Sequence, residues 1–241
     1  RDGQIFINNT FSPCNNGTIL DADFSKTCKI SKGIRIPANY VLDLSGKSLT
    51  LVGGGRLNGD GTECGSGTCQ SGDSFTIIVD VLNLSNGNIS SDGGSTTTSA
   101  ASHFSGTGGN ITINASTLYV GANSQISASS DYLRSTTSTF GGNDAGTIAL
   151  NATIVNITGT INARGGNGDR DGSCGGSAGQ GTRGNGGIVN ISAVTIANTG
   201  LINVEKGSIG FCGGGTGTGG LASGRDGQIF INNTFSPCNN G

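Results

Sequence analysis

The chain has 241 residues, of which 46 are Gly, only 12% are charged and none is Met or Trp, with a formal net charge of −2. Strong helix formers are scarce while Ile, Val and Thr are plentiful, so the composition favours strands. It excludes a helical bundle, a charge-driven disordered tail and a basic nucleic-acid binder, and no apolar run approaches the ~18 residues of a membrane-spanning helix.

The first element carries the strongest signal. Residues 1–17 read RDGQIFINNTFSPCNNG, and residues 225–241 repeat them without a change, 224 positions later. A separate subunit whose ends interleave with its neighbours is one explanation. The reading adopted is a tandem array, with residues 1–224 as one unit and 225–241 as the start of the next. The absence of an initial Met and of a signal peptide fits a segment cut from something longer.

A shorter period runs inside the long one. Apolar alternations open at Ile5, Val41, Phe75, Ile111, Ile148 and Val189, and again at Ile229. Strand groups are expected near 4–8 with 34–36, then 41–58, 75–90, 110–128, 147–163 and 188–204. Residues 9–33, with Pro13, read as an irregular insertion in the first group. Gly/Ser/Thr-rich loops are expected at about 59–74, 91–108, 129–146, 164–186 and 205–226, closing each coil. The segments GGNITINASTLYVGANSQISAS, AGTIALNATIVNITGTINARGG and GGIVNISAVTIANTGLINV each hold three short runs of period-two alternation. Such short strands cannot form an independent sheet, but stacked on similar neighbours at ~4.8 Å they share one continuous interior. The fold expected is all-β: a right-handed parallel β-helix with about six coils per 224-residue unit. An antiparallel sandwich is the structural rival and explains the nested periods less well.

The pattern GG-x-I-x-I-x-A…G-x-I-x-A-x-GG resembles the Gly-rich β-helical repeats of large microbial surface proteins and adhesins. It covers residues 75–231 well and 1–60 loosely. The resemblance implies a parallel β-helix at the cell surface with a structural or adhesive role, and implies no catalytic residues.

Seven Cys are present, and Cys238 repeats Cys14. The six of one unit read as disulfides formed in an oxidising compartment. Spacing pairs Cys14 with Cys28 in the insertion, Cys64 with Cys69 across a Gly-rich turn, and Cys174 with Cys212 about one coil apart. Cys64 and Cys69 are too widely spaced for the usual zinc hairpin, and no metal or other cofactor is expected.

Asn-x-Ser/Thr sequons occur at Asn8, Asn16, Asn83, Asn88, Asn110, Asn114, Asn151, Asn156 and Asn190. Ile111 and Ile113 should point inward, leaving Asn110, Thr112 and Asn114 outside; Asn83 should face out between Leu82 and Leu84. Outward Asn can carry glycans. Asn8, Asn114 and Asn151 share one position along their coils and could instead form an Asn ladder.

Other signals are weak. GGNGDRD, residues 165–171, approaches a Ca²⁺ nonapeptide with Asp169 and Asp171, but occurs once. Asp21 with Asp23, and Asp169 with Asp171, are the candidate carboxylate pairs for a polysaccharide-degrading β-helix enzyme, and both lie in low-complexity loops with no matched acid/base partner. His103 has no nucleophile motif beside it and reads as an exposed loop residue. No enzyme activity is expected. The leading reading is a structural repeat of an extracellular or cell-surface filament, with identical units head to tail, attached glycans, and no nucleic-acid partner or membrane insertion. The rival is an adhesin binding glycans or proteins through its loops, for which Tyr119 and Tyr132 are the best exposed aromatics.

Overall fold

A computed structural model of the chain describes residues 6–7, 10–11, 27–64, 67–95, 103–130, 142–167, 183–208, 224–232 and 234–236. In chain order its strands are β1 (Phe6–Ile7), β2 (Thr10–Phe11), β3 (Thr27–Ile30), β4 (Gly33–Arg35), β5 (Tyr40–Val52), β6 (Arg56–Asn58), β7 (Gly67–Thr68), β8 (Phe75–Ser85) and β9 (Asn88–Ser90). They continue with β10 (His103–Phe104), β11 (Ile111–Val120), β12 (Gln125–Ser127), β13 (Thr147–Ile157), β14 (Thr160–Asn162), β15 (Ile188–Asn198), β16 (Leu201–Asn203), β17 (Gln228–Ile231) and β18 (Thr234–Ser236).

Two parallel sheets carry the architecture. The larger runs β18-β17-β15-β13-β11-β8-β5-β3, with only the β17–β18 hairpin antiparallel; the smaller runs β16-β14-β12-β9-β6-β4. From β3 to β16 strands of the larger and smaller sheets alternate along the chain, so each layer is one strand of the larger followed by one of the smaller, with β7 and β10 pairing outside both. Among the described residues there is no helix. The described residues form an all-β fold with parallel strands in two sheets, consistent with a β-solenoid-like or other parallel β fold, and the antiparallel sandwich is not formed.

The register follows the aliphatic residues. Phe75, Ile111, Ile148, Val189 and Ile229 stand directly over one another. The short strands align Ile34, Leu57, Ile89, Ile126, Ile161 and Ile202. Within a long strand the alternation changes phase once: Phe75, Ile77 and Val79 are buried, then Leu82 and Leu84. The chain bends there, so both halves of the strand face one interior. Each buried aliphatic side chain contributes ~1.5–3 kcal/mol by leaving water, and stacking makes the interior continuous from Cys28 to Val204.

Two expectations need correction here. Val41 does not open its group: Tyr40 pairs with Phe75, and Val41 is 51% exposed. Leu42 and Leu44 stand opposite Ile77 and Val79 and take the inward places, which turns Val41 outward. A local insertion follows: Ser45, Gly46 and Lys47 stand where β8 has Asp80 alone. Gly46 adopts φ +71°, which a Gly enters at little cost. The Asp43 carboxylate accepts the Ser45 hydroxyl and N–H, and these two bonds hold its pKa below the usual carboxylate range. The second correction concerns residues 9–33. Thr27–Ile30 is not insertion but strand, pairing with Ser48–Leu51 and burying Cys28 and Ile30.

The Gly-rich segments are more ordered at their roots than a simple capping loop. The leg leaving each short strand donates to the next layer, as in Ser91 N–H to Ser127 O and Gly93 N–H to Ser129 O. The returning leg does the same, as in Gly72 N–H to Thr107 O and Gly108 N–H to Asp144 O. The two legs also bond to each other: Gly109 N–H to Ser91 O, Gly146 N–H to Ala128 O, Gly187 N–H to Ala163 O and Gly227 N–H to Val204 O. Backbone touches backbone in this seam. A Cβ on Gly146 would lie 2.0 Å from Gly109 O, and one on Gly187 2.0 Å from Gly146 O. Only Gly fits there.

Candidate functional site

The repeated segment meets the end of the stack as a further layer. β17 lies parallel on β15, with Ile188 opposite Gln228, Val189 opposite Ile229, Asn190 opposite Phe230 and Ile191 opposite Ile231. This register continues the one between earlier layers. The approach is fixed by the seam: Gly186 N–H donates to Arg225 O, Arg225 N–H to Asn185 Oδ1, and Gly227 N–H to Val204 O. Asp226 accepts the Lys206 N–H at 3.1 Å and pairs with its ammonium at 3.3 Å. The backbone bond from Lys206 is the main cause of a lowered Asp226 pKa, with smaller contributions from the charges of Lys206 and Arg183.

β17 then turns back. Asn232 sits at φ +48°, a conformation that Asn tolerates in hairpin turns, and β18 pairs with Phe230 opposite Phe235 and Ile231 opposite Thr234. Asn232 N–H donates to Ile191 O, and its side chain accepts the Ala193 N–H at 2.8 Å. The N-terminal copy makes the same hairpin, with Phe6 opposite Phe11 and Ile7 opposite Thr10. One sequence thus gives one local structure at both places.

Of the expected disulfide cysteines, Cys64 and Cys69 are joined, with Cα atoms 5.1 Å apart. Cys28 is also disulfide-bonded. Cys14, Cys174 and Cys212 lie outside the described residues, and so do Asn8, Asn16, Asp21, Asp23, Asp169, Asp171 and Tyr132.

Sequon side chains are drawn into axial contacts. Asn151 and Asn114 are register partners, and the Asn151 Nδ2 donates to Asn114 Oδ1 at 2.9 Å. Asn88 accepts the Gln125 N–H and Asn110 accepts the Thr147 N–H, each from the following layer. Asn83 and Asn156 flank Tyr119 in an outward column, and Asn190 stands beside Phe230. Among the seven described sequons, Asn110 and Asn151 are exposed and the rest half-buried. Ile111, Ile113, Leu82 and Leu84 are fully buried, as the alternation expects, while Asn83 is half-buried with its Oδ1 enclosed.

Tyr119, expected as an exposed aromatic, is half-buried because its neighbours in the column flank it. His103 is not in a loop: His103–Phe104 pairs in parallel with Gly67–Thr68, beside the Cys64–Cys69 bridge. A polar pocket of about 250 Å³ is lined by Arg56, Asp60, Glu63 and Asp92. Asp60 and Asp92 are committed to structure. Asp60 binds the Arg56 guanidinium and accepts the Asp92 N–H, while Asp92 accepts the Ser127 hydroxyl and the Ser129 N–H. Sequence reasoning missed this use of Asp and Asn as acceptors for the next layer; a polar residue recurring just after a short strand, as at Asp60 and Asp92, was the available signal. Among the described residues no group of three or more His, Cys, Asp or Glu is arranged to hold a metal, and no helix is long and apolar enough to cross a membrane.

Compared with known proteins, the chain matches no family model, no curated protein and no solved structure.

Proposed function

We propose that this chain is a structural repeat of an extracellular or cell-surface filament, in which identical 224-residue units continue head to tail as one right-handed β-solenoid of six layers per unit. One observation carries the reading: the segment that stacks in register on the last full layer is, residue for residue, the segment that opens the unit. A parallel sheet ends in unpaired N–H and C=O groups that invite uncontrolled pairing. In the array the next unit supplies that pairing, so each unit caps the one before. Right-handedness follows from the strong preference of parallel crossovers in one sheet. The Cys64–Cys69 bridge agrees with an oxidising location. Asp60 and Asp92 of the polar pocket tie neighbouring layers together, which supports a mechanical role over a catalytic one.

The test is an electron-microscopic power spectrum of assembled material. With layers ~4.8 Å apart, the axial repeat of the unit should fall at ~29 Å. A repeat near ~10 Å or above ~45 Å would overturn the six-layer unit, since no whole set of six layers fits either.

A further inference from the structure

The strand positions at the two ends of the stack are complementary halves. At the C-terminal end, β17 covers only the first half of β15, Ile188–Ile191. At the other end, β3 covers only the second half of β5, Ser48–Leu51. Among the described residues no strand pairs with the second half of β15 on its outer side, or with the first half of β5 on its outer side.

Burial records the difference. Val189 and Ile191, under β17, are fully buried. Ile196 and Ile202 occupy columns whose earlier members, Val155 and Ile161, are fully buried, yet both are only partly buried.

Resting on the array reading, we infer that one layer of the solenoid is split across the repeat: β17, which opens the following unit, and residues 27–36 of that unit together form the layer that seals the end of the unit before it. The columns set the register. Cys28 stands in the column of Leu49, Leu82, Leu118, Val155 and Ile196, so Cys28 of the following unit covers Ile196. Ile34 begins the column that ends at Ile202, and therefore covers it. Gly33 begins the outward column of Arg56, Asn88, Gln125, Thr160 and Leu201. Ile30 meets Asn198, the one polar member of its column, whose side chain already accepts the Gly200 N–H.

The experiment uses a tandem chain, residues 1–224 followed by the full 241-residue sequence, with one introduced Cys in each unit. Leu201→Cys in the first unit and Gly33→Cys in the second place thiols on adjacent parallel strands, within the Cα range a disulfide accepts. Gly33 is exposed and a Cβ there meets nothing within 4 Å. Oxidation followed by non-reducing digestion should give the 201–33 link in most molecules. Asn203→Cys with Gly33→Cys, two residues out of register, should give at least tenfold less. Equal linking by both pairs, or none from the first, overturns the split layer. Hydrogen exchange on the unsubstituted tandem guards against misfolding of the variants. Residues 195–203 of the first unit should exchange at least tenfold more slowly than in the single 241-residue chain. Unchanged exchange there, with residues 225–232 protected, overturns the split layer and leaves the array intact. Fast exchange in both segments overturns both.

Discussion

The strand side and the glycine side of each layer solve the same packing problem in opposite ways. On the strand side, aliphatic columns such as Phe75–Ile111–Ile148–Val189 fill the space between two sheets with side chains. On the glycine side nothing fills the space, because the two legs of the layer bond to each other directly. The strand side is a volume that several aliphatic residues can occupy. The glycine side is a contact that a Cβ on Gly109, Gly146, Gly187 or Gly227 breaks. A repeat can therefore drift in its strands, as Val, Leu and Ile do along one column, while these four Gly recur in successive layers; one layer earlier Asp73 holds the position and donates its N–H to Gly59 O.

Substitutions can break that comparison, and the largest effect belongs to the seam. Gly146→Ala puts a methyl 2.0 Å from Gly109 O, a backbone atom that cannot move without parting two layers. Chemical denaturation should show a loss of ~4 kcal/mol or more, in the exceptional class for a single methyl. Gly33→Ala, in open space, should change stability by no more than ~0.5 kcal/mol. Similar losses at both sites would refute the backbone-contact reading of the seam.

Next in size is Ile113→Ala in the fully buried strand core, where the deleted groups leave a cavity costing ~2–5 kcal/mol. Ile113→Leu at the same position should cost less than ~1.5 kcal/mol, because the column already accepts Leu150. If Leu proves as damaging as Ala, the strand side is no more tolerant than the seam.

Smaller still is Asn151→Ala, which removes an exposed side-chain hydrogen bond to Asn114. A loss of ~0.5–1 kcal/mol is expected, read from the same denaturation curves. The smallest effect is electrostatic. The folded pKa of Asp226 lies below its unfolded value, so its contribution is complete above the ordinary carboxylate pKa near ~4 and is lost as pH falls through the lowered folded value. The Asp226–Lys206 contact is largely exposed and salt-screened, so stability should be flat in this respect between pH ~5 and ~8. Asp226→Asn should flatten only the acid limb of the stability profile.

The strand side was legible in the sequence because period-two alternation reports burial directly. Phe75, Ile111, Ile148, Val189 and Ile229 were found by alternation alone, and they stack. The error at Val41 arose because Val41 and Leu42 are adjacent apolar residues, and the buried alternation runs through Leu42 and Leu44. Thr27–Ile30 escaped because four residues beside a Pro-containing stretch carry too little pattern to stand apart from it. The seam was hidden for a different reason. Gly has no side chain to show a face, so its recurrence reads as a separator until the carbonyl of the neighbouring layer is in place. Asn88 and Asn110 were noticed as sequons, yet their use as acceptors for Gln125 and Thr147 appears only with the axial register.

The identity of residues 225–241 with 1–17 was plain from the letters, and its consequence rests on the amides of β17. Gln228 N–H is bonded to Gly187 O, and Asn232 N–H to Ile191 O. Residue-resolved hydrogen exchange on the 241-residue chain measures these bonds directly. Protection of Gln228 and Asn232 within about tenfold of the β15 amides is the result expected if the repeated segment opens a new layer. Exchange at the rate of an open chain would contradict it, and with it the head-to-tail continuation of the solenoid.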